Sequence, residues 1–232
     1  MPNQHGAWAM LASPLLVGIL GGGPAWVDLP LAAFWFVGYF AFFATALWLK
    51  AGRRARDLPP MRAYAAAAVG LGLLVAALRP DLLRWAPMFV VPLGVGLWAA
   101  AHRRERDLLA GLATVVGSSA MTVVAFDAGT TGPLDRGWWL ALVQLLYFAG
   151  TVFYVKSAIR ERGNRRFLSV SVGLHALATL AMAPVSSWLG LVFAVLTVRA
   201  AVVPPRRPTP KALGLGEIAA TVVVGVVSLL AV

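Results

Sequence analysis

The chain has no cysteine, which excludes disulfides, thiolate nucleophiles and cysteine-ligated metals. Acids are scarce too, with 9 Asp and Glu against 20 Lys and Arg, and there are 3 His. No group of His, Asp and Glu has metal-site spacing. A Walker loop, a GxSxG elbow and an HExxH motif are all missing, so no metal or other cofactor is expected. Charged residues make up only 12% of 232 positions, hydrophobic ones 60%, and the mean hydropathy is +0.79. About a quarter of a soluble domain is charged, so a soluble fold is excluded as well.

What the chain has instead is apolar runs of about 20 residues, the length that crosses ~30 Å of hydrocarbon as a helix. Nine spans are expected, over residues 7–21, 29–49, 63–78, 84–101, 107–126, 138–158, 166–183, 186–203 and 213–231. Gly and Pro clusters fall between them, as in "GGGP" at 21–24 and "PP" at 204–205. The expected fold class is therefore all-α, one transmembrane helical domain over residues 1–232. The opening "MPNQHGAWAM" has no Lys or Arg before its apolar run, so the first block reads as a retained helix and not a signal peptide.

The net charge of +11 lies in short loops, where it faces membrane lipids and not nucleic acid. Loops after spans two, four, six and eight hold 17 of the 20 Lys and Arg; only Arg79, Arg84 and Arg136 fall at the other end. By the positive-inside rule the N-terminus is cytoplasmic, the C-terminus external, and the location a cell membrane.

Two of these loops match without a gap. "LWLKAGRRARD" (47–57) follows span two and "FYVKSAIRERG" (153–163) follows span six, aligning Lys50 with Lys156, Arg54 with Arg160 and Arg56 with Arg162. Like charges at i, i+4 share a helix face and weaken the helix slightly, so helix stability does not explain them. Two readings stand. The cations are anchors at helix C-termini, or Lys50, Arg54, Lys156 and Arg160 form a pocket that grips an anionic head group. His5, Asn3 and Gln4 start span one at the same end and would add neutral donors.

Further polar residues draw structural expectations. His175 is expected to be a buried neutral imidazole with one helix–helix hydrogen bond, and Gln144, Ser118 and Ser119 to join helices likewise. Glu217 is the one acid well inside an apolar block and is expected to pair with a loop Arg or Lys. Asp127 and Asp135 read as a solvated loop, His102 as an interface residue, and "GLGLL" (70–74) and "GVGLW" (94–98) as close-packing faces. Trp26, Trp85, Trp138, Trp139 and Trp188 read as an aromatic belt.

The start "PNQHGAWAMLASPLLVGIL" (2–20) and the later "YVKSAIRERGNRR" (154–166) resemble YwiC-like membrane proteins. In layout the chain also resembles the UbiA superfamily of intramembrane prenyltransferases, which implies nine helices, a cytosolic N-terminus and catalytic loops after helices two and six. In that family the two loops are rich in Asp, which holds Mg²⁺ and through it a prenyl diphosphate. Here they keep only Asp57 and Glu161 among cations, a poor set for Mg²⁺. The resemblance thus implies a degenerate or metal-independent relative that binds an anionic isoprenoid or lipid phosphate. A small-anion transporter and a non-catalytic assembly protein are the alternatives.

Overall fold

The structure, a computed structural model, describes the backbone of residues 5–232 and the side chains from Trp8 onward. Among the described residues it is helical throughout: α1 (His5–Gly22), α2 (Asp28–Lys50), α3 (Leu58–Leu78), α4 (Pro87–Ala101), α5 (Leu108–Gly129), α6 (Asp135–Ile159), α7 (Arg165–Met182), α8 (Ser187–Val202) and α9 (Pro210–Ala231). Each expected span overlaps one of these helices, the fourth beginning in the 3-10 turn Pro80–Trp85 ahead of α4. The third starts earlier than expected because Pro59 and Pro60 lie in its first turn, where a missing N–H costs nothing.

Among the described residues, six stretches are long and apolar enough to cross a membrane: Asp28–Lys50, Ala55–Leu78, Leu108–Gly129, Asp135–Ile159, Ser187–Arg206 and Pro210–Ala231. Trp8–Gly22 and Pro87–Ala101 are shorter apolar helices. At 1.5 Å per residue α4 is about 22 Å long, and the 3-10 turn Pro80–Trp85 before it adds depth. Helix α7 is the most polar. It turns Ser171, His175, Ala178 and Met182 inward and leaves Leu174, Leu177 and Leu180 exposed. The chain is a polytopic membrane bundle.

Local chemistry sets the helix ends. Asn164 Oδ1 accepts from Phe167 N, and Thr209 Oγ1 from Ala212 N, capping α7 and α9. Past α2 the backbone turns at Gly52 (φ 76°) and Arg53 (φ 60°), left-handed positions that give the end of α2 its sharp exit.

Helices α1, α5 and α6 form the centre. α1 packs on α5, α6 and α9, while α5 also packs on α4. The α1–α5 seam depends on Gly18 and Gly22, one turn apart. A Cβ at Gly18 would stand 2.7 Å from the Ala125 Cβ, and one at Gly22 would stand 2.8 Å from the Phe126 Cα. Such close backbone approach is how membrane helices gain packing energy when lipid is as apolar as leucine. On one flank α2 packs on α3 and α4, with Phe34 against Gly72 and Phe42 against Gly96. Those glycines belong to the two runs expected to be packing faces. On the other flank α7 and α8 pair through a 3.0 Å Thr179–Thr197 hydrogen bond.

Candidate functional site

The twin basic helix ends come to one end of the bundle, on either side of the α4–α5 loop. Lys50 closes α2, and its Nζ lies 2.9 Å from Glu105 Oε1 of that loop. Arg103 Nη2 donates to the Lys50 carbonyl at 3.4 Å. From the far side, Arg160 Nη1 donates to the Arg106 carbonyl at 3.2 Å. Lys156 is half-buried in the last turn of α6, with no acidic partner among the described residues. Arg54 is exposed, and Asp57 lies 3.8 Å from Arg56 Nε. Partial burial of Glu105 works against ionisation. Its bond to Lys50, its own backbone N–H and the nearby Arg106 outweigh this and hold its carboxyl below the usual range. The acidic partner of Lys50 is a residue that the sequence did not single out. Asn3, Gln4 and the side chain of His5 lie outside the described residues.

Beside the Lys50 end, α2 and α3 leave an apolar groove of about 310 Å³ between Phe40, Phe43, Ala44 and Leu47 on one side and Asp57, Pro60 and Tyr64 on the other. Leu47 is three residues before Lys50, and Asp57 is three after Arg54.

A second polar cluster lies inside the bundle, between α6, α8 and α9. Glu217 is 5% exposed. Its Oε2 accepts from Thr151 Oγ1 at 2.9 Å and from Tyr147 Oη at 3.2 Å, and Oε1 stands 2.8 Å from Arg199 Nη1. The guanidinium lies over the Tyr154 ring, 4.3 Å from its centroid. Arg199 Nε and Nη2 are buried and meet no acceptor among the described residues. Glu217 does pair with a cation, as expected, but that cation is in α8 and not in a loop. Four apolar residues, Ala200, Ala201, Val202 and Val203, follow Arg199 before Pro204, a signal that it belongs to the span.

Other polar residues differ from what the sequence leads one to expect. His175 is buried, but its Nδ1 bonds Ser171 O one turn back, 2.7 Å away, and not another helix; its ring instead fills the space over Gly150 of α6. Gln144 does join helices, accepting from Ser13 of α1 at 3.0 Å. Ser118 bonds Val115 O within its own helix, and Ser119 has no partner among the described residues.

At the opposite end Asp127 is no solvated loop residue. It is 4% exposed within α5 and takes Arg84 Nη2 on both oxygens at 2.8 Å and Trp85 Nε1 at 2.7 Å. Trp85 is therefore more than a belt residue. Arg79 grips Asp81 and the Asp127 and Ala128 carbonyls, and Arg136 grips those of Gly21 and Leu229. All three arginines of this end thus cap helix C-termini or neutralise a buried acid.

A family model described as YwiC-like protein matches residues 1–126. The chain is also 33% identical to "Uncharacterized protein YwiC" of Bacillus subtilis (strain 168) over 221 residues, 94% of this chain and 92% of that protein. The chain belongs to the YwiC-like family. A second relative, an "Uncharacterized protein" of Haemophilus influenzae, is 28% identical over 99% of this chain and 97% of its own length. No solved structure matches, and the UbiA resemblance expected from the layout is not shown by the family model or by either relative. In this YwiC-like chain the matched segment takes in the Lys50 end, the groove and most of α5. Lys156 and the Arg199–Glu217 cluster lie beyond it, in the half that the two full-length relatives also cover.

Proposed function

We propose that this YwiC-like membrane protein binds an anionic amphiphile, an isoprenoid or lipid phosphate, at the basic end of the bundle. Its tail lies in the α2–α3 groove. Its head is held by Lys50 and Arg54, with Lys156 and Arg160 flanking across the α4–α5 loop. The observation that carries this reading is the placing of an apolar groove directly beside a basic helix end. In a bilayer the tail adds little selectivity, because lipid solvates it equally well. Selection falls to the head group, where charge-assisted hydrogen bonds are about twice as strong as neutral ones. Lys50 gives one donor to Glu105 and keeps two, and Arg54 offers its full fork.

The test is extraction of lipids from the purified protein. Wild type is expected to retain a phosphorylated lipid or polyprenol that the Lys50→Ala/Lys156→Ala variant loses. A wild-type protein that carries none, or a double variant that retains it equally, would sink the proposal.

A further inference from the structure

We infer a second binding site, separate from the basic end, for the uncharged oxygen-bearing head of an amphiphile, built by Arg199 and Glu217 between α6, α8 and α9. An Arg–carboxylate pair that serves only structure gains most by meeting the acid with two parallel N–H groups. Here Glu217 takes Nη1 alone, and the edge formed by Nε and Nη2 stays buried without an acceptor among the described residues. Each such orphan donor is costly in a dry interior. The geometry is also fixed on both sides: Tyr154 lies against the guanidinium, and Thr151 and Tyr147 hold the other oxygen of Glu217. A rigid fork with a free edge suits one or two acceptor oxygens. Glu217 Oε1, which has charge contact with Arg199 but no aligned hydrogen bond, suits a hydroxyl.

Charge decides the class of ligand. Arg199 and Glu217 already neutralise each other, so an anion would add a net charge to a low-dielectric site and be repelled by Glu217. A head with a carbonyl and a hydroxyl satisfies the fork and the acid at no charge cost. A monoacylglycerol has that chemistry.

The probes are monooleoylglycerol and oleate, which share a tail and differ in head charge, each added to the purified full-length protein while its thermal midpoint is followed. Monooleoylglycerol at about 100 times its Kd is expected to raise the midpoint by roughly 5–10 °C, and oleate by much less. Arg199→Lys keeps the charge pair and loses the fork, so the monooleoylglycerol effect falls tenfold or more in apparent affinity. Glu217→Gln exposes the charge of Arg199 and reverses the preference toward oleate. Equal or greater protection of wild type by oleate overturns the inference, as does an unchanged response in Arg199→Lys. The Lys50→Ala/Lys156→Ala variant keeps the full response, which separates this site from the one at the basic end.

Discussion

Removing the acid from the buried pair is the sharpest test of how α6, α8 and α9 are held. Glu217→Gln preserves volume, and the amide oxygen can still accept from Thr151 and Tyr147, now 2.9 and 3.2 Å from Glu217 Oε2. What it removes is the charge opposite Arg199, whose Nη1 stands 2.8 Å from Glu217 Oε1. Charge centres about 4 Å apart at an effective dielectric of about 20 interact by about 4 kcal/mol. Breaking one side of a buried pair costs ~3–5 kcal/mol, because the other charge is stranded. For a chain of this size each kcal/mol moves the midpoint by about 2–4 °C, so the expected loss is roughly 6–20 °C. The readout is tryptophan fluorescence of the detergent-purified protein during heating. The double variant Arg199→Gln/Glu217→Gln strands no charge and is expected to recover much of the loss. A single variant within about 2 °C of wild type, or a double variant no better than the single, would refute the argument that the pair is electrostatically coupled in a dry site.

Three smaller effects follow from other contacts. Gly22→Ala puts a Cβ against the Phe126 backbone, 2.8 Å from its Cα, so it should cost about 1–3 kcal/mol by overpacking and lower the thermal midpoint; Gly38→Ala, with nothing within 4 Å, serves as the control. Asp127→Asn weakens the Arg84 pair but keeps an acceptor for Trp85, and should cost about 1–2 kcal/mol, less than Glu217→Gln because Arg84 is 53% exposed; the midpoint checks it. Glu105 has its carboxyl lowered in the fold, so its bond to Lys50 stabilises above the ordinary value of 4.5 and is lost as pH falls through the lowered one. The midpoint gap between wild type and Glu105→Gln should therefore be present at pH 7 and close on acidification; a gap that widens on acidification would contradict this sign.

The helices were legible because each apolar run has nearly the length the bilayer demands and Gly or Pro marks nearly every break. The partners of the polar residues were not. Lys50 and Lys156 were matched by alignment, but pairing across a bundle depends on which helices lie between. Here the α4–α5 loop comes between them and supplies Glu105. Asp127 reads as a loop acid in the sequence because the last two residues of helix α5, Ala128 and Gly129, look like the start of the Gly/Thr-rich break, and the arginines 43 and 48 positions earlier cannot be seen as neighbours in one dimension. Arg199 carried its signal in the small apolar residues that follow it, yet its charge grouped it with the loop.

These placements divide the molecule in two. Helices α2, α3 and α4 expose long apolar faces, as at Leu73, Val90 and Val91, and bring their charges only to the helix ends. Helices α6 to α9 bury Tyr147, Thr151, His175 and Glu217 in their interior, with Arg199 partly buried beside them. Burying ionisable groups in a membrane is costly, and a bundle of this length could be held by small-residue packing alone, as the α1–α5 seam is. The polar half therefore carries a cost that packing does not require. A site explains that cost, and the free edge of Arg199 is where it would act.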